Sequence, residues 1–148
     1  MQGKVNLMFY VSALVAIAGA VGYQYFIKRV PGTLNPIVSV ISVYVAVLVL
    51  GVLLIPLFPP EGGLLHQIRQ LGWVQLAVAG GVFLMEFGFL LMYRYGWNLS
   101  TGNLVTGVII NIALFGLGVL VLGEKGNPVN TIGIALSILG VALISYRP

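Results

Sequence analysis

Glu86 is the residue with the clearest capacity for chemistry, because it lies inside the apolar segment VFLMEFGFLLMYRY at 82–95. A carboxyl group placed among apolar side chains can bind and release a proton, or it can attract a cationic ligand. Acidic residues inside membrane segments commonly belong to proton or substrate pathways. The segment therefore indicates proton exchange, cation binding or both.

Four other residues are candidates to share a site with Glu86. Phe83 and Tyr93 lie on the helical face of Glu86, so they could form the aromatic wall of a cavity. Asn103 and Asn111 follow on a later segment, in a stripe of residues spaced four apart. The predicted substrate- or proton-binding set is therefore Glu86, Asn111, Tyr93, Phe83 and Asn103.

A structural role is the alternative for the same residues. A protonated Glu86 could bond to Asn111, to Asn103 or to a tyrosine on a neighbouring helix and so hold a helix bundle together. For Asn111 an interhelical hydrogen bond is favoured over substrate contact, because side-chain amides commonly join membrane helices. Both interpretations of Glu86 stay open at the level of sequence.

The remaining polar residues exclude several functions. The chain has no Cys and one His, which excludes disulfides, thiolate metal sites and histidine clusters, so we predict no metal and no cofactor. Glu86 has no partner nucleophile or base, so we predict that the chain is not an enzyme. The few charges are scattered singly, and nucleic-acid binding is therefore not expected. His66 is expected at a water-facing rim, with a proton-shuttle role as the alternative.

The elements that must position these residues are membrane-spanning helices. Hydrophobic residues make up 59% of the 148, charged residues make up only 7%, and the mean hydropathy is +1.08. These values lie outside the range of soluble proteins. At about 20 residues for each span, the chain has room for roughly four to six helices. We predict an all-α polytopic membrane protein in contact with the lipid bilayer.

The charged residues mark where the chain leaves the bilayer, and the gaps between them predict five transmembrane helices in a single domain, 1–148. Asn35 and Asn127 each precede a proline, which is typical of an N-cap followed by the first helical residue, and Ser100 or Thr101 could cap the fourth span. A signal peptide is the alternative for the first span, although four similar spans follow it. The predicted helices are at about 5–27, 36–57, 71–95, 102–122 and 128–146, with a short interfacial segment at 64–70.

Small and hydroxyl-bearing residues predict how the helices pack. Ser39 and Ser42 share one face of the second span, where they could bond to a neighbouring helix or line a cavity, and interhelical bonding is favoured. Gly133, Ser137 and Gly140 form a stripe of small residues on the last span. Such stripes permit close approach of two helix backbones, and packing is their default meaning.

The positive residues are nearly balanced between the two sides of the membrane, three against four. A chain that inserts in one orientation normally carries a clear excess of Lys and Arg on the cytoplasmic side. We therefore predict insertion in both orientations and an antiparallel homodimer, in which two Glu86 side chains would approach one site. One side holds Lys4, Arg69 and Lys125, and the other holds Lys28, Arg29, Arg94 and Arg147.

A family resemblance is carried by the C-terminal part of the chain, roughly residues 87–144. It consists of Tyr93-Arg94-Tyr95, a glycine-spaced fourth span, the connection Leu122-Gly123-Glu124, and Gly133 and Gly140 in the closing helix IGIALSILGVALI. This pattern resembles an EamA-type repeat of the drug/metabolite transporter superfamily. Two features depart from it: the fourth span has Asn111 where many members carry a proline, and typical members contain two inverted repeats instead of one.

The resemblance implies a half-size transporter that must pair with itself or with a second half-transporter. We expect a secondary exporter of a small hydrophobic or cationic metabolite or drug, coupled to protons through Glu86 and acting as an antiparallel dimer. The alternative is a non-transporting assembly or accessory subunit that pairs with another membrane protein. The expected location is a membrane, the inner membrane of a prokaryotic cell.

Overall fold

The computed structural model describes residues 7–146, which form helices and short connections with no strand among them. Five of the helices are long and apolar enough to cross a bilayer, with mean hydropathies from 1.5 to 2.9. The predicted all-α membrane protein with five spans is confirmed. The elements are α1 Leu7–Ile27, α2 Pro36–Leu54, a 3-10 turn Ile55–Leu57, α3 Leu64–Ile68, α4 Trp73–Arg94, α5 Leu99–Leu120 and α6 Pro128–Ser145.

Parts of two predictions lie outside the described residues. The first span was predicted from residue 5, and the helix is described from Leu7. Two of the cations in the charge balance, Lys4 and Arg147, also lie outside the described range. The short interfacial segment predicted at 64–70 contains α3, one short helix of five residues.

Two helix starts follow the predicted cap chemistry. The Asn35 Oδ1 accepts hydrogen bonds from the backbone N–H groups of Ile37, at 2.9 Å, and Val38, at 3.4 Å. The Asn127 Oδ1 accepts from the N–H of Val129 at 3.0 Å. In both cases a proline occupies the first helical turn, where its missing N–H leaves no bond unmade. Both predicted N-caps are confirmed.

The predicted start of α5 is wrong. The helix begins at Leu99, three residues before the predicted position, and Asn98 occupies the N-cap without a side-chain hydrogen bond. Gly96, with a φ of +95°, turns the chain after α4, and the extended Asn98 then accepts the first helical hydrogen bond through its carbonyl. Ser100 and Thr101 therefore lie inside the first turn instead of capping it.

One hydroxyl of each predicted packing stripe bonds within its own helix. The Ser42 hydroxyl donates to the Ser39 carbonyl of its own helix, at 2.7 Å, instead of to a neighbouring helix. Ser137 likewise donates to the Gly133 carbonyl, at 2.9 Å. Apart from the backbone of their own helix and their chain neighbours, no described atom comes within 4 Å of the position that a Cβ would take at Gly133 or Gly140. Hydroxyl groups on membrane helices satisfy themselves on carbonyls of the preceding turn, so such serines need no partner helix.

The contacts divide the predicted single domain into two compact units, Phe26–Arg94 and Met1–Tyr25 with Tyr95–Pro148. In the unit Phe26–Arg94, α2 packs against α4. The contact buries Ser39 and Val40 on α2. The C-terminal half of α4 has a buried face with members spaced three, four and seven apart, which is the spacing of one side of a helix. Its members are Glu86, Phe89, Leu90 and Tyr93.

In the unit that contains Tyr95–Pro148, α5 packs against α6 across a tight connection. Gly123 adopts a φ of +69°, which turns the chain back so that the Glu124 N–H donates to the Gly118 carbonyl at 2.9 Å. The Glu124 carboxylate lies directly over Gly118, where any Cβ would overlap it. The Gly-Glu connection thus folds onto the end of α5.

Candidate functional site

Glu86 is enclosed by its own chain, with 5% of its surface exposed. It lies in the C-terminal half of α4, on the face that also buries Leu90 and Tyr93. Apolar residues at this spacing turn one side of the helix inward, and Glu86 is carried inward with them. A charged carboxylate in such a place needs polar partners, so the groups facing Glu86 determine what it can do.

One polar group near Glu86 among the described residues is the hydroxyl of Tyr44, which comes from α2. This hydroxyl is buried and forms no hydrogen bond of standard geometry within the described residues. It nevertheless lies close enough to the Glu86 carboxyl for the two groups to interact electrostatically. The two groups are therefore adjacent without a hydrogen bond between them.

Tyr44 also lines an open groove of about 590 Å³ between α2 and α4. The groove is mostly apolar, with walls that include Phe83, Ala79 and Val78, and its other polar side chain is Gln75. Both the size and the mixture of apolar walls with few polar groups are typical of small-molecule sites. Tyr44 lines this groove and also lies near Glu86, so it connects the groove to the buried acid.

The two predicted aromatic residues lie at different levels of α4. Phe83 is half-buried in the groove wall and stacks on Phe87, with ring centroids 5.8 Å apart. Tyr93 is buried and stacks on Phe89 at 6.2 Å. Its seven-residue separation from Glu86 corresponds to about 10 Å along the helix axis. Phe83 thus shares the groove wall with Tyr44, which lies near Glu86. Tyr93 lies near the end of α4.

Asn103 and Asn111 lie on α5, in the other compact unit, and both are exposed. The geometry within the unit Phe26–Arg94 therefore groups Glu86 and Phe83 but does not include the two amides. Exposed amides in a membrane span need polar partners, which a second chain could supply. The roles predicted for Asn103 and Asn111 stay predictions.

His66 lies on α3 and is exposed, as expected of a water-facing rim. Its Nε2 is 2.9 Å from the Gln70 side-chain nitrogen, one helical turn away. The ring also packs against Gly62, where a Cβ would be 3.0 Å from it. These local contacts account for His66 without a role in proton transfer.

Tyr44 is the functional candidate that sequence reasoning did not name, although a tyrosine on a neighbouring helix was among the expected partners of Glu86. A signal was present, because tyrosines in membrane proteins prefer the interfaces, and Tyr44 lies well inside the span Pro36–Leu57. A tyrosine at that depth needs a partner for its hydroxyl, and a buried acid on another span is an obvious one. Pairing the mid-span polar residues of different helices would have found it.

Comparisons with known proteins found no match to any family model, curated protein or solved structure. The resemblance to an EamA-type repeat therefore stays a prediction from the residues that carry it. The functional argument rests on the geometry of Glu86, Tyr44 and the adjacent groove.

Proposed function

We propose that this chain is a half-size secondary transporter that exchanges protons for a small hydrophobic or cationic metabolite or drug. The observation that carries the proposal is the burial of Glu86 in a membrane helix, facing the Tyr44 hydroxyl beside an apolar groove. An acid at such depth costs about 2.5 to 3.5 kcal/mol even on the lenient insertion scale, so a functional role is its default explanation. The resemblance to one EamA-type repeat points in the same direction.

The exchange uses one carboxyl group with two alternative occupants. A protonated Glu86 is neutral and is compatible with the apolar face of α4. After the proton leaves, the carboxylate can accept a hydrogen bond from Tyr44 and attract a cation from the groove. A site that holds either a proton or a cation, but not both, couples their movements in opposite directions. The two occupants affect each other through the shared Glu86 carboxyl, and a hydrogen bond from Tyr44 would stabilise its deprotonated form.

A second copy inserted in the opposite orientation would complete the transport pathway. Two observations support this arrangement. The positive residues are nearly balanced between the two sides, three against four. The groove wall is also exposed, with Val74 at 50% and Val78 at 59%. Two five-helix units of opposite orientation reproduce the inverted repeat that many transporters encode in one chain. Pairing with a different half-transporter is the other arrangement that fits one repeat.

In cells that express only this chain, the C-terminus is expected on both sides of the membrane in comparable amounts. The chain contains no Cys, so a single cysteine appended to the C-terminus can be labelled specifically with an impermeant thiol reagent before and after lysis. Adding an arginine on one side, as in Gln70→Arg, should shift the population toward one orientation. A C-terminus found on one side alone would rule out dual insertion and leave pairing with a different half.

The function is tested with purified protein in liposomes that contain a pH-sensitive dye. Quaternary ammonium ions of increasing apolar size are added outside, because they cannot carry protons through the lipid themselves. Exchange is expected to move protons out of the lumen, so the luminal pH should rise with at least one of these ions and stay constant in protein-free liposomes. Constant luminal pH with the whole panel would favour the accessory-subunit alternative.

A further inference from the structure

A second cavity, of about 230 Å³, lies at the end of α4 in the unit Phe26–Arg94. Its walls come from the end of α1, the loop that follows, and the last turns of α4. Two cations, Lys28 and Arg94, contribute to these walls together with the apolar side chains of Ile27 and Leu90. Its volume corresponds to that of about eight water molecules in the liquid, so a small polar group can enter.

Both cations are held in place by contacts with their surroundings. The Arg94 Nη2 donates to the carbonyl oxygen of Leu34 at 2.5 Å. The Lys28 ammonium lies 5.2 Å from the centroid of the Tyr93 ring, in a cation–π contact. Both side chains are half-buried. A guanidinium has five N–H donors in a planar fork, and the bond to Leu34 uses one of them.

The cavity lies at the level where the chain leaves the bilayer. α1 ends at Ile27, α2 begins at Pro36 and α4 ends at Arg94, so three span ends meet at this level. Ile27 and Leu90 are 8% and 3% exposed and form the apolar part of the wall. A ligand that combines an anionic head with apolar chains matches this arrangement of cations beside apolar side chains at the membrane boundary.

We propose that this cavity binds a phosphate group, and that its source is the headgroup of an anionic membrane lipid. The Arg94 fork and the Lys28 ammonium would contact the phosphate oxygens, and the acyl chains would extend along the lipid-facing surface of the spans. Basic pockets between membrane helices bind anionic lipid headgroups in this way. The site uses neither Glu86 nor Tyr44, so it stands whether or not the chain is a transporter.

Native mass spectrometry of delipidated protein, titrated with phosphatidylglycerol or phosphatidylcholine, tests the proposal. The wild type is expected to prefer phosphatidylglycerol at least about tenfold, because the choline ammonium cancels the phosphate charge. Each cation near an anionic group changes the affinity about fivefold. The double variant Lys28→Gln with Arg94→Gln should therefore bind phosphatidylglycerol about 25-fold more weakly than the wild type. The matched control, Arg69→Gln with Lys125→Gln, removes two cations elsewhere and should keep the preference.

A single variant separates weaker lipid binding from a loss of folding. Lys28→Gln leaves the bond from Arg94 to Leu34 intact and should lose about fivefold in affinity for phosphatidylglycerol. Thermal unfolding in lipid-free detergent confirms that each variant is folded before its lipid binding is compared. An unchanged preference for phosphatidylglycerol in the folded Lys28→Gln and double variants would overturn the proposal.

Titration with inorganic phosphate distinguishes the two sources of the ligand. A lipid preference that is lost in the double variant assigns the site to a lipid headgroup. Binding of inorganic phosphate to the wild type but not to the double variant, without any lipid preference, keeps the phosphate site and assigns it to a soluble phosphate. A wild type that neither prefers phosphatidylglycerol nor binds inorganic phosphate has no such site.

Discussion

Glu86→Gln is expected to abolish the substrate-driven change in luminal pH while the protein stays folded. Glutamine keeps the size and polarity of the side chain, but its amide cannot bind and release a proton in the accessible pH range. The neutral amide also removes the charge that would attract a cation from the groove. We expect the rate of proton movement to fall by more than about tenfold, because the proposed function assigns the coupling to Glu86, the acid within the spans. The liposome dye assay measures this rate directly.

Glu61→Gln is the matched control for Glu86→Gln. Glu61 is exposed in the turn before α3, and its carbonyl, not its carboxylate, accepts the hydrogen bond from the Gln67 side chain. This variant makes the same change of charge outside the spans and should transport within about twofold of the wild type, as exposed surface changes usually do. Wild-type proton movement in Glu86→Gln would mean that Glu86 is structural.

Ala79→Trp is expected to block transport by filling the groove between α2 and α4. Ala79 is part of the groove wall, and an indole there would occupy space next to Tyr44 and Phe83. The groove is open, so the larger side chain can be accommodated without the strain of an overpacked core. We expect uptake of radiolabelled substrate to fall by more than about tenfold, because the added ring excludes ligands from a groove of this size.

Leu76→Trp provides the control on the same helix. Leu76 is 76% exposed and is not part of the groove wall, so the added ring should face lipid. Transport by this variant should match the wild type, which separates the effect of the groove from the effect of a bulky residue on α4. Full transport by folded Ala79→Trp would place the substrate path elsewhere.

The spans are predictable because lipid offers no hydrogen bonds, so each long apolar run must form a helix. The starts of α2 and α6 are predictable for a similar reason, since Asn35 and Asn127 each supply an acceptor and the following proline lacks the N–H that would need one. The start of α5 is less predictable. Its position depends on the turn at Gly96, whose φ of +95° no pattern of neighbouring residues specifies.

Side-chain partners are harder to predict than spans. Glu86 stands out because it is charged, but its partner Tyr44 depends on how α2 and α4 are rotated about their axes. α2 is apolar on nearly every side, so its sequence says little about which face meets α4. The unknown rotation of α2 also limits the prediction for Ser42. Its hydroxyl bonds within its own helix instead of to a neighbouring one.

The enclosure of Glu86 within one chain has a consequence for an antiparallel pair. An acid that is 5% exposed before any partner arrives already has its surroundings set by its own subunit. If each subunit keeps this packing in the pair, the two acids would keep separate surroundings, and each subunit would carry its own proton. In a mixed pair, one intact subunit would keep half of the proton capacity.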